Sequence, residues 1–133
     1  MHKTAALCGL ILCFYLAPAV LAQDPVKVDP KHYTVVSEND QVRILRVHYG
    51  PHEKSVMHSH PATVAVFLTD ANAQFTLADG KKQDASAKAG DSRYSAAQTH
   101  LPENLSDKPM EVIVVELKGK APAAKPAAKM EKK

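Results

Sequence analysis

In the middle of the chain, apolar and polar residues alternate with a period of two. The stretch "QVRILRVHY" sets Val42, Ile44, Arg46 and His48 on one face and Arg43, Leu45, Val47 and Tyr49 on the other. Successive side chains take opposite sides in this way only on a strand. "YTVVS", "ATVAVFLT", "AQFTLAD" and "MEVIVVELK" are further runs rich in Val, Ile, Phe, Tyr and Thr. Between the runs stand "NDQ", "GPHEK", "DAN", "ADGKK", "AGDS" and "SDKP", whose Gly, Pro, Asn and Asp residues mark turns. "LADGKK" reads as a hairpin, because Asp-Gly tolerates the positive φ angles that match sheet twist. Nowhere in this region does a 3.6-residue apolar period run for three turns. The pattern predicts an all-β single domain, an antiparallel sandwich or barrel.

The two ends follow different rules. "MHKTAALCGLILCFYLAPAVLAQDP" has a short basic start, an apolar run and small residues before Gln23. That is the signature of a signal peptide over residues 1–22, so the chain is expected to be exported, periplasmic or secreted. Cys8 and Cys13 both lie in that segment. An exported chain would then hold no disulfide and no thiolate ligand, leaving histidine, carboxylate and neutral oxygen for any metal site. At the other end, residues 118–133 repeat Lys, Ala and Pro without apolar periodicity, which predicts a disordered basic tail. Its charge suits an anionic envelope surface or nucleic acid, but a solvated tail without a partner fits the composition better.

Charge divides along the same line. Residues 23–117 carry ten Lys and Arg against thirteen Asp and Glu, whereas the tail carries six Lys against Glu131 alone. The core domain at 23–117 is therefore mildly acidic and lacks a basic stripe with interleaved aromatics, so nucleic-acid binding is not expected of it.

Candidate chemistry centres on "YGPHEKSVMHSHPATVAVFLTD". His58 and His60 are two apart, and on a strand such residues share a face. If that face lines an interior, two imidazoles converge on one point, and His100 in "HLPENL" could fold back over it. Imidazole ligates divalent iron, zinc, copper, nickel and manganese. His32, His48 and His52 read as solvated or hydrogen-bonded rings.

"GPHEKSVMHSHP" and "AGDSRYSAAQTHLPEN" together resemble the two motifs of the cupin superfamily, over roughly Tyr33 to Lys118. The resemblance implies a jelly-roll or conical β-barrel. It matches Gly50, His58 and His60 in the first motif and Gly90, His100 and Asn104 in the second. The first motif's glutamate is missing, since Val64 and Ala65 occupy its place, and Ala96 and Gln98 replace a proline and a glycine in the second. Two readings of that loss stay open. One is a three-histidine metal enzyme of the dioxygenase kind, with iron favoured over zinc, manganese, nickel or copper and a small oxygenated metabolite as ligand. The other is a non-catalytic periplasmic protein that binds a small ligand or a metal. Three neutral imidazoles leave a divalent charge uncompensated, which would favour an anionic chelating ligand.

Gln98 would share the inward face of His100 and fill or orient a fourth position. Glu103, beside Asn104 at the presumed rim, is the candidate for proton transfer. Glu53 and Glu111 read as solvated carboxylates, and Phe67 and Tyr94 as core or cavity lining. Small cupins also pair their barrels, which implies a homodimer.

Overall fold

A computed structural model describes residues 23–119. The expected leader, and the basic tail from residue 120 onward, lie outside the described residues. Within them are one short helix and nine strands: α1 (Pro25–Val28), β1 (Tyr33–Glu38), β2 (Val42–Tyr49), β3 (His58–His60), β4 (Thr63–Phe67), β5 (Ala73–Leu77), β6 (Lys82–Asp84), β7 (Ser92–Ser95), β8 (Gln98–Asn104) and β9 (Met110–Leu117). None of the described helices is long and apolar enough to cross a membrane.

The strands form two sheets, ordered β1-β2-β9-β4-β7 and β3-β8-β5-β6, with every pairing antiparallel. The all-β expectation holds, and the five apolar runs become β1, β2, β4, β5 and β9. β3, β6 and β7 are short and polar, and β8 carries His, Pro and Asn. None of the four has the β-branched composition that marks a strand by eye.

Alternation decides which side chains face inward. On β2, Leu45, Val47 and Tyr49 are buried, and Arg46 and His48 on the other face are exposed. The inner faces of the two sheets meet in a core of Tyr33, Leu45, Val47, Tyr49, Phe67, Met110 and Val112, with small Ala71, Ala73, Ala85 and Ala87 filling the narrow end. Large and small residues opposed in this way let two sheets interdigitate about 10 Å apart.

The predicted hairpin joins β5 to β6, but only Gly80 takes a positive φ, at 82°. Gly80 N–H donates to Leu77 O and Leu77 N–H donates to Lys81 O, so Asp79 keeps an ordinary conformation and glycine alone supplies the bend. The motif glycine Gly50 has a different reason. A Cβ there would stand 3.1 Å from Glu53 Cδ, and Gly50 N–H donates to Glu53 Oε2 at 2.8 Å.

The chain enters through α1. Asp24 caps it by accepting from Val26 N–H at 2.9 Å, and Pro25 sits at the first helical position, where no N–H is needed. Arg43 then ties Asp24 to the barrel with Nη1 and Nη2 at 2.8 and 3.1 Å. At the far end, Lys118 still belongs to the folded body, its N–H donating to Gln41 O.

Candidate metal centre

Two adjacent strands build the site. β3 and β8 pair so that His58 stands opposite His100 and His60 opposite Gln98. All four side chains are therefore on one face, because opposite partners and next-but-one neighbours share a side in an antiparallel pair. On the other face, Ser59 and Thr99 join their hydroxyls at 2.7 Å and fix the register. The three imidazoles are 1%, 7% and 5% exposed for His58, His60 and His100. Each offers one nitrogen within 4.8 Å of those of the others.

Hydrogen bonds settle which nitrogens point inward. His58 Nδ1–H donates to Val56 O at 2.8 Å, and His60 Nδ1–H donates to Glu116 Oε1 at 2.7 Å. In the neutral ring the other nitrogen then carries a lone pair. The two Nε2 atoms so defined face each other at 3.1 Å. Two acceptors that close repel unless a metal ion or a shared proton lies between them. Metal–nitrogen bonds of about 2.0–2.1 Å with tetrahedral or octahedral angles place neighbouring donors about 2.9–3.4 Å apart. His100 completes the case, since both its nitrogens are buried and find no hydrogen-bond partner among the described residues. Buried nitrogens are seldom left so without a purpose. The residues fit a divalent cation.

Burial also keeps the rings ready to ligate. Desolvation, and then the proximity of His60, pushes His58 down to about 4. Desolvation, with His60 and His58 nearby, pushes His100 down to about 3. Both imidazoles are thus neutral at pH 7, the state a metal requires.

A buried acid stands behind the site, not among its ligands. Glu116 on β9, 2% exposed, accepts from His60 with Oε1 and from Arg43 Nε with Oε2 at 2.6 Å. Burial alone would raise its carboxyl, but the hydrogen bonds from His60 and Arg43 outweigh burial and hold it below the usual range. A carboxylate behind a ligand histidine orients the ring and raises its basicity. Among the described residues the three imidazoles remain the whole ligand set, and the carboxylate directly behind His60 is itself paired with Arg43. Sequence reasoning missed Glu116 because it lies 56 residues from His60 and joins it only through the pairing of β4 with β9.

A second polar cluster supports the site from the α1 side. His32 is buried, its Nδ1 2.7 Å from Asp29 Oδ2 and its Nε2 3.0 Å from Glu53 Oε2. Ser55 Oγ–H donates to Asp29, and His32 stacks on Tyr49 at 4.3 Å. Tyr49 and Tyr33 join hydroxyls at 2.8 Å, and Tyr33 sets its ring edge-on to His58 at 4.8 Å. His32 is hydrogen-bonded, as expected, and Glu53 is a strut, ion-paired to Lys31 and hydrogen-bonded to His32, where a solvated carboxylate was expected.

A cavity of about 290 Å³ opens above the histidines, at the small end of the usual range for small-molecule sites of about 300–1,000 Å³. His60, His100 and Gln98 reach its wall, and His58 lies behind them. Phe67, Phe75, Ala65, Val112 and Val114 give it an apolar lining, and Phe75 packs on the His100 ring at 4.3 Å.

The remaining candidates fall outside. Glu103 lies on the face of β8 opposite His100, half-buried and 3.6 Å from Lys54, so strand alternation turns it away from the cavity and from any proton transfer there. Asn104 does face inward, but Nδ2 donates to Gly50 O at 2.9 Å and Lys108 O at 2.7 Å, and Oδ1 accepts from Ser106 N–H. Its polar atoms are committed to joining loops. Phe67 and Tyr94 both line the cavity as expected, Tyr94 at its mouth and 60% exposed.

No protein-family model matches the chain, and no curated protein matches it. Solved structures do. A cupin domain from Bordetella pertussis Tohama I is similar at TM-score 0.61 and 21% identity, over 65% of this chain and 92% of that one. A protein with a double-stranded β-helix domain from Klebsiella pneumoniae matches at 0.54 and 22%, over 68% and 78%. An RmlC-like cupin family protein from Methanocaldococcus jannaschii matches at 0.53 and 16%, over 64% and 77%. The chain has the cupin fold, a double-stranded β-helix, with three histidines on its inner wall.

Proposed function

We propose that this is an exported protein that holds one divalent cation, iron by preference, on His58, His60 and His100 and presents it to a small oxygenated ligand. The observation that carries the reading is the pair of Nε2 lone pairs 3.1 Å apart, beside an imidazole with no other partner. A cation held there supplies Lewis-acid polarisation of ligand oxygens, and with iron the chemistry of an oxygenase acting with dioxygen. The chain's own part is to keep His58 and His100 neutral, to fix His60 through Glu116, and to surround the ligand with an apolar wall.

The second reading is a binding protein without turnover. It is favoured by the scarcity of acids on the cavity wall: among the described residues only the carboxylate of Asp84 lines it, on the edge strand β6 and bonded to Gln74. Metal analysis of the exported chain, followed by oxygen uptake with thiols and β-diketones, separates the two. Stoichiometric iron with substrate-dependent uptake supports the oxygenase. Ligand affinity without uptake, with or without bound metal, supports the binder, and a chain that binds neither a divalent ion nor a small ligand sinks both. N-terminal sequencing of that material tests export, with Gln23 first as the expected result.

A further inference from the structure

The cavity opens between β6 and β7, the two edge strands that lie at corresponding ends of their sheets. β7 pairs with β4 so that Arg93 is opposite Ala65, and both line the cavity. Arg93 is therefore an inward-facing cation on an edge strand. Its Cζ lies 5.6 Å from the centre of the Phe67 ring, which anchors the guanidinium against the apolar wall. Nη2–H donates to Ser86 O at 2.5 Å and joins the two lips of the mouth.

The charge of Arg93 is unspent. The chain has three arginines, and the other two are ion-paired: Arg43 with Asp24 and Glu116, Arg46 with Glu111. Among the described residues Arg93 forms no ion pair, and its Nε–H and Nη1 hydrogens have no hydrogen-bond partner. Asp84 on the facing lip bonds to Gln74 instead. A planar fork with free N–H groups beside an apolar wall matches a carboxylate better than any neutral group.

We propose that Arg93 is a specificity-determining residue that receives the carboxylate of an amphiphilic small acid. The acid's apolar middle lies against Phe67, Phe75 and Val114, and an oxygen-donor end reaches the three histidines. The donor end rests on the metal reading above; the Arg93 subsite exists with or without the ion.

The deciding experiment uses calorimetry on the metal-free exported chain with hexanoate and hexan-1-ol, which share a tail and differ in charge. Wild type should bind hexanoate about tenfold more tightly, the scale of one partly exposed charge-assisted contact. Arg93→Gln should erase the preference, and Arg93→Lys should restore part of it. Equal binding of the two by wild type, or a preference that survives in Arg93→Gln, overturns the assignment. An inward charge on an edge strand also resists edge-to-edge pairing. Were that its sole role, Arg93→Gln would aggregate and no carboxylate preference would exist to lose. Zinc-loaded chain titrated with 4-methylcatechol and 3,4-dihydroxyphenylacetate isolates the other half. If zinc strengthens the binding of neither, the chelate reading fails while the hexanoate result stands. If both bind only with zinc and hexanoate shows no preference, the reverse holds.

Discussion

His58 Nε2 and His60 Nε2 face each other at 3.1 Å while both Nδ1 atoms donate elsewhere, to Val56 O and to Glu116. With two lone pairs facing, that juxtaposition is unfavourable without an ion and favourable around one. Zinc should bind at one per chain and raise the unfolding temperature. At a free concentration of about 100 Kd the gain is about 2.7 kcal/mol. His58→Ala or His60→Ala should lower affinity by at least about a hundredfold, beyond what removal of an outer-sphere partner costs. Titration against a chromophoric chelator measures both. An unchanged affinity in either variant would remove these residues from the site.

Glu116→Gln tests the carboxylate behind His60. The amide oxygen still accepts from His60 Nδ1–H, but the amide NH2 then faces Arg43 Nε–H, donor against donor, so the Arg43 contact is lost together with the charge. Metal affinity should fall about 10–100-fold, with the stoichiometry still one. Arg43 keeps Asp24 as a partner, which limits the cost of leaving a buried cation unpaired. The same titration, with a urea curve on metal-free protein, separates lost affinity from lost fold.

His100→Leu should divide function from stability. Both His100 nitrogens are buried without partners, and each such atom costs about 1–3 kcal/mol. Leucine fills similar space against Phe75 and carries no such cost. In chelator, the variant should unfold at a higher urea concentration than wild type, while high-affinity metal binding is gone. A variant less stable than wild type would mean that His100 contributes packing or hydrogen bonds the structure does not show.

Much of this was legible in one dimension. Period-two alternation marked the strands that bury Leu45, Val47 and Tyr49, and the spacing of His58 and His60 marked a shared face. What escaped depends on pairing between distant segments. Glu116 is an ordinary acid near the end of an apolar run until β9 lies beside β4, which puts it opposite Thr63 and next to His60. Glu103 seemed close to the site because it is three residues from His100, yet an odd spacing on a strand means opposite faces. Asn104 has the even spacing and faces inward, but its hydrogen bonds go to loops that no local pattern predicts.

Asn104→Ala bears on that last point. Asn104 is 0% exposed, and the change would strand the Ser106 N–H and remove one of the two donors to Gly50 O and to Lys108 O, which keep Glu53 N–H and Ser106 Oγ–H. The urea midpoint should fall, by an amount equivalent to about 2–4 kcal/mol. Zinc stoichiometry should remain one. A variant of normal stability that fails to bind metal would make Asn104 part of the site.

Acid should loosen the α1 side through Glu53. Its carboxyl is held at about 2, first by the hydrogen bond from Lys31, then by Gly50 N–H and His32. In the unfolded chain the group returns to its ordinary value of about 4.3. Between those values the unfolded state binds more protons than the folded one, so stability falls as pH falls. The contribution of Glu53 is complete above about pH 4.3 and gone below about pH 2. Glu53→Gln cannot titrate, so its deficit against wild type should be largest at pH 6 and shrink steadily toward pH 2.5. Because the Lys31 pair faces solvent, added salt should narrow the deficit at pH 6 as well. Urea midpoints of the metal-free proteins across that range measure the gap, and a gap that stays constant or widens in acid would show that Glu53 acts through something other than its charge.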